Sequence, residues 1–151
     1  MKIIIDTREK KPLEFSVPTE RGSLAVGDYC AKFSDGSTSK VVFERKFIND
    51  LYGTLSSGYD RFKREISKSK EEGITLLIIV EGSLRRVLHG CNHSKRNGIS
   101  IIYQLFTLRV RYGIETVFSN NREEMSQYIT HLFLSLEREY EDGIRTDTQS
   151  R

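Results

Sequence analysis

The chain has 151 residues, of which 37% are hydrophobic and 30% charged, with a formal net charge of +3. That describes one soluble globular domain with a single core and a heavily charged surface. The small net charge gives no global argument for a nucleic-acid partner. Two cysteines, Cys30 and Cys91, make no disulfide framework, and no apolar run is long enough for a membrane span, so an intracellular, reducing compartment is expected.

In chain order, Lys2 to Asp6 reads as a short, nearly continuous apolar strand. Lys10 to Gly22, with Pro12 and Pro18, reads as a loop. Leu24 to Phe33 reads as a strand, and Ser34-Asp35-Gly36-Ser37 as the hairpin turn that pairs it antiparallel with Val41 to Phe47. Asn49 or Asp50 is placed to cap a helix running through Leu51 and Leu55. Tyr59 to Glu72 has a helical pattern that Gly73 ends. Thr75 to Val80 suits a central strand buried on both faces. Leu88 to Gly98 reads as an exposed loop. Ile99 to Tyr112 reads as a helix with Ile102, Leu105, Phe106 and Val110 on one face, stopped by Gly113. Ile114 to Phe118 is a further strand. Glu123 to Tyr140 is a long helix with Tyr128, Ile129, Leu132, Phe133 and Leu136 apolar. Residues 144–151 read as a flexible tail, leaving 1–143 as the domain. The expected fold is α/β, a mixed sheet of about five strands flanked by helices.

The most informative residues lie on the second and third predicted strands. Gly27-Asp28 closes the start of one. Glu44-Arg45-Lys46 sits on the next, where side chains two apart share a face. Glu44 and Lys46 therefore point together, while Phe43, Arg45 and Phe47 point the other way. A carboxylate on one strand beside Glu-x-Lys on its neighbour offers hard oxygen ligands for Mg²⁺ and an ammonium next to it. Glu-x-Lys alone is common as a surface ion pair. Here the sheet is flanked by helices, so these charges need a cleft, a partner or a metal. Asp6 ends a buried strand, where ligand sites in open α/β sheets lie; on the residues alone it is equally a turn-forming Asp.

Gly27-Asp28, a spacer, then Glu44-Arg45-Lys46, three residues and Asp50 resembles the signature of the XPF-type family of structure-specific DNA endonucleases. Ile3-Ile4-Ile5-Asp6-Thr7-Arg8-Glu9 is similar to that family's first strand. The resemblance covers about Ile3 to Tyr140. It implies a restriction-endonuclease-like core and Mg²⁺-dependent hydrolysis of DNA phosphodiesters, with Mn²⁺ as a substitute, at flaps and forks in repair or recombination. It implies Asp28, Glu44 and Asp6 as metal ligands, Asp6 directly or through water. Lys46 would position or activate water. Arg8 and Glu9 match further motif positions; Arg8 is equally a charge balance for the acids. Asp50 contacts metal through water, caps the following helix, or braces Arg45 or Lys46. Arg45 is expected to pair with an acid beneath the sheet.

Basic clusters supply the remaining expectations. Arg61, Lys63 and Arg64 on the helix, and Lys95 and Arg96 in the loop, are candidate phosphate contacts; each is otherwise a solvated face. His89-x-Cys91-x-His93 has metal-capable residues but no second pair for structural zinc, which favours a plain loop. Glu81 is a lesser candidate for the cleft rim. No Gly-rich phosphate loop is present, so no nucleotide hydrolysis is expected. The family's tandem helix-hairpin-helix domain has no counterpart before Arg151. Branch recognition is then left to a homodimer through this domain or to a separate DNA-binding partner. Two alternatives stand beside this one: a junction resolvase or other nuclease of the same superfamily, or a non-catalytic DNA-binding scaffold subunit.

Overall fold

A computed structural model describes the backbone of residues 1–149 and the side chains of residues 1–143. Among the described residues six strands and five helices follow in the order β-β-β-β-α-α-β-α-α-β-α. The strands are β1 (Lys2–Asp6), β2 (Thr19–Gly22), β3 (Tyr29–Lys32), β4 (Val41–Phe47), β5 (Thr75–Glu81) and β6 (Glu115–Ser119). The helices are α1 (Ile48–Leu55), α2 (Tyr59–Glu71), α3 (Leu84–His89), α4 (Gly98–Tyr112) and α5 (Arg122–Gln149). They form one mixed sheet in the order β2-β1-β3-β4-β5-β6. β1 and β3 pair antiparallel, as do β3 and β4; the outer pairs are parallel.

The two faces of the sheet are covered unequally. On one, Ile3, Ile5, Tyr29, Phe43 and Ile79 pack against Met125, Ile129 and Phe133 of α5. On the other, Ile78 and Val80 of β5 meet α1, α2, α3 and α4. The rest of that second face carries only a small cluster, Val26, Cys30, Val42 and Leu76, with Ile4 and Leu24 at its margin. The four helices therefore stop short of β1 and β3. They leave a step in the surface, walled by α2.

Several elements differ from the sequence reading. β2 lies inside the expected loop. Its residues, Thr-Glu-Arg-Gly, carry no apolar alternation because it is an edge strand held by parallel pairing to β1. Only Tyr29–Lys32 of the expected second strand is extended ladder. Upstream, Gly27 turns the chain at a φ of 76°. β5 is buried on both faces but sits one strand in from the edge. α3 was not foreseen; Ser83 caps it, its Oγ accepting from Arg86 N–H. α1 starts directly at Ile48 after Phe47, with no side-chain cap, so neither Asn49 nor Asp50 plays that part. α4 is apolar on two sides. It buries Ile101, Leu105 and Leu108, whereas Phe106 and Val110, read as sharing one face with Leu105, are exposed. α5 runs beyond Tyr140 to Gln149, and the side chains of the expected tail, 144–151, lie outside the described residues.

Candidate active site

Asp6, Asp28 and Glu44 fall into line across three strands. Ile5 is paired with Tyr29 and Tyr29 with Phe43, both antiparallel. One step further along each ladder sets Asp6 opposite Asp28 and Asp28 opposite Glu44, and opposed residues share a face. That is the face the four helices stop short of, because Ile4, Cys30 and Val42, two residues before Asp6, after Asp28 and before Glu44, all belong to its small cluster. Lys46 shares the face, and its Nζ lies 3.2 Å from Glu44 Oε1.

Gly27 makes the placement of Asp28 possible. Its backbone is left-handed, and a Cβ there would stand 2.4 Å from Val42 Cγ1. Only glycine lets β3 turn this close to β4. Asp28 is then pinned by backbone: its N–H donates to Phe43 O at 2.8 Å, and its Oδ2 accepts from Arg45 N–H at 2.8 Å.

A fourth carboxylate completes the group. Glu65, on α2, accepts from Gly27 N–H at 3.3 Å through Oε1. It was missed because Lys63-Arg64-Glu65 reads as a solvated charge run. The signal was its spacing: Phe62, Ile66 and Ser69, the buried residues of α2, stand at i−3, i+1 and i+4. Glu65 therefore lies on the margin of the buried stripe.

The crowding has electrostatic consequences. Burial pushes the Asp28 carboxyl up to about 6; Glu9 and Glu65 add to this, while Arg45 N–H and Lys46 oppose it. Burial raises Glu44 well above the usual carboxylate range, reinforced by Asp28 and Glu65, with Lys46 again opposing. One ammonium thus serves several carboxylates in a site that under-solvates them.

Asp6 behaves differently. It is 1% exposed. Its Oδ2 accepts from Arg8 Nε at 2.7 Å and from Arg8 N–H, and its Oδ1 accepts from Leu24 N–H. Burial raises its pKa, but these donors outweigh burial and the net shift is downward. Its charge is already answered by Arg8. On the opposite face Glu9 Oε2 accepts from Tyr29 Oη at 2.7 Å and from Arg45 Nε at 3.3 Å. The Arg45 guanidinium lies over the Phe47 ring. Asp50 is exposed in the first turn of α1 and joins no ion pair among the described residues.

The basic candidates also separate. Arg61 stands one turn before Glu65 and is exposed on the same side of α2. Lys63 is turned away, pairing with Asp60 at 3.3 Å and lying over the Tyr59 ring. Arg64 and Lys95 are exposed. Arg96 is drawn into the protein: its Nη1 donates to Leu55 O at 2.8 Å and to Gln104 Oε1 at 2.6 Å, so it fastens the loop to the end of α1. Cys91 Sγ donates to Asn49 Oδ1 at 2.8 Å. Among the described residues no three His, Cys, Asp or Glu side chains close on one point. Glu81 ends β5 half-buried beside Phe47.

A mixed sheet whose antiparallel β1, β3 and β4 carry a row of carboxylates and a Glu-x-Lys pair, braced by helices on both faces, defines the restriction-endonuclease-like class of α/β domain. Within that class the family is specific: residues 5–132 match the ERCC4 domain model, and the chain belongs to that family. It has the fold of an XPF-type nuclease domain. Among solved structures it is similar to XPF from Aeropyrum pernix, at 23% identity and a TM-score of 0.66, over 91% of this chain and 60% of that one. The same archaeal protein in complex with DNA gives a TM-score of 0.70, at 23% identity, over 91% of this chain and 66% of the other. The chain thus spans about two thirds or less of the length of these relatives. No curated protein matches the sequence. No helix among the described residues is long and apolar enough to cross a membrane.

Proposed function

We propose that the chain is a divalent-metal-dependent endonuclease that hydrolyses DNA phosphodiesters at branched structures. The carrying observation is Asp28 and Glu44 opposed on adjacent strands, with Lys46 Nζ 3.2 Å from Glu44 and Glu65 reaching in from α2 to Gly27 N–H. Hard carboxylate oxygens, under-neutralised and partly desolvated, suit a hard cation such as Mg²⁺, with Mn²⁺ as a substitute. Asp28 and Glu44 would hold the metal, with Glu65 beside them. When bound, the cation supplies Lewis acidity toward a phosphodiester oxygen. Asp6 is better suited to fixing the β1 end through Arg8 and Leu24 than to ligating. Lys46 Nζ, already at Glu44, is placed to hold the attacking water or to answer charge developing on the phosphate. Asp28 takes its orientation from Arg45 N–H, and Glu9 and Tyr29 hold Arg45 from behind.

Arg61 and Lys68 flank Glu65 at i−4 and i+3, so they extend the site along α2 as phosphate contacts, with Arg64 next to them. Lys63 is a poor contact on this reading. The specificity for flaps and forks rests on the family and on the archaeal relative described with DNA. The test is cleavage of flap, fork, junction and linear DNAs with Mg²⁺, Mn²⁺ or chelator. Cleavage of none of them in either metal would remove the proposal and favour a DNA-binding scaffold.

The domain also pairs with a second copy of itself through α4. Ile99, Tyr103, Phe106 and Val110 recur at intervals of four, three and four and stay exposed, Val110 at 85% and Tyr103 at 75%. That is the seam of a helix that packs on another helix. The corresponding stripe of α5 is largely used against the sheet, which makes α4 the better surface. A two-fold pair brings the same stripe to both sides. Sedimentation at micromolar concentration should give twice the chain mass, and Val110→Glu with Tyr103→Glu should return it to one.

A further inference from the structure

Beyond Lys46 the chain leaves β4 and enters α1 at Ile48 and Asn49, and a second concavity opens there. It encloses about 420 Å³ between the start of α1, α3 and the loop after it. Its lining contains Arg85, Arg86, His89 and His93, with Asn49 and Asn92, and not one carboxylate. Arg85 and Arg86 are exposed, and neither guanidinium has a partner among the described residues. Arg96 makes a useful contrast, since its guanidinium is spent on carbonyls of the fold.

We propose that this pocket is a phosphate site on the path of the cleaved DNA strand, about three nucleotides from the scissile bond. The inference rests on the nuclease reading of the neighbouring carboxylates. Asn49 is three residues past Lys46, at most about 10 Å along the chain and less where α1 begins at Ile48, and one strand of duplex carries a phosphate every ~3.4 Å of axis. Paired guanidiniums match phosphate oxygens by geometry, and the two Asn amides offer further donors. A concave wall with two free arginines and no carboxylate, beside an acidic site, suits a phosphodiester chain that must approach carboxylates which repel it.

The test uses the full chain in the cleavage-silent Glu44→Gln background, so that DNA stays intact. A flap duplex carries single neutral methylphosphonates at successive positions around the cut mapped with the unmodified chain. Binding should weaken on the order of tenfold when the neutral link falls two to four nucleotides from the cut on one side. Arg85→Ala with Arg86→Ala should weaken binding similarly, lower the salt slope by about one, and abolish the effect of that link. Arg85→Lys with Arg86→Lys should keep most of the affinity, which separates charge from folding. Unchanged affinity and slope in the alanine pair, with cleavage by the unmodified chain intact, overturns the pocket alone. An unmodified chain that neither binds nor cuts any DNA overturns the nuclease reading and the pocket with it.

Discussion

Arg45 and Asp28 are joined through the backbone rather than through their charges. The Arg45 N–H donates to Asp28 Oδ2 at 2.8 Å while its guanidinium turns to the other face and meets Glu9. The same residue thus aims a carboxylate on one side of the sheet and locks the strand from the other. Arg45→Lys keeps the N–H and should lower cleavage mainly by loosening β4. Arg45→Ala should cost 2–4 kcal/mol of stability, on the order of a broken buried ion pair and hydrogen bonds. Parallel melting curves and rates check this; wild-type stability in Arg45→Ala would show the clamp to be idle.

Replacing the reacting groups should separate chemistry from folding. Glu44→Gln, Asp28→Asn and Lys46→Ala should each reduce cleavage on the order of a thousandfold or more. DNA affinity should stay within a few-fold. Full activity in Glu44→Gln would remove the mechanism.

Glu65→Gln offers a narrower test. As a group beside the principal ligands it should lower metal affinity or activity on the order of 10- to 100-fold. Raising Mg²⁺ should recover part of the rate. A defect in Glu65→Gln that no metal concentration relieves would assign the side chain to fixing Gly27 instead.

The pH dependence of stability has a definite sign. Asp28 carries a folded pKa raised to about 6, above its ordinary 3.8. Such a group favours the fold below its unfolded pKa, and that benefit disappears as pH rises through 6. Metal-free protein should therefore melt at a higher temperature near pH 5 than near pH 7, as far as this site governs. Mg²⁺ should raise the melting temperature more at pH 7 than at pH 5. Asp28→Asn should flatten both trends. A Mg²⁺ shift of equal size at both pH values would contradict the assignment.

On α2, Arg61→Ala and Lys68→Ala should each lower the salt slope of DNA binding by about one unit. Lys63→Ala should leave it unchanged, because that ammonium faces Tyr59 and Asp60. Salt titrations of the three variants decide between the two flanks of the helix.

Five of the six strands, and the placing of Asp28, Glu44 and Lys46 on one face, were legible because period-two burial and a fixed spacing both act within a few residues. What escaped depended on distant partners. Glu65 declares itself only once α2 is laid beside Gly27. Arg96 looked like a free cation until Leu55 O and Gln104 claimed it. β2 has no apolar signal because β1 supplies its order. On α4 two apolar sides competed, and nothing local says that Leu108 goes inside while Val110 stays out.

Over β1 and β3 the second face of the sheet carries only the small cluster around Cys30 and Val42, to which no helix contributes a side chain. Asp6 and Glu44 are nonetheless only 1% and 7% exposed, a dryness the fold provides by itself before any partner arrives.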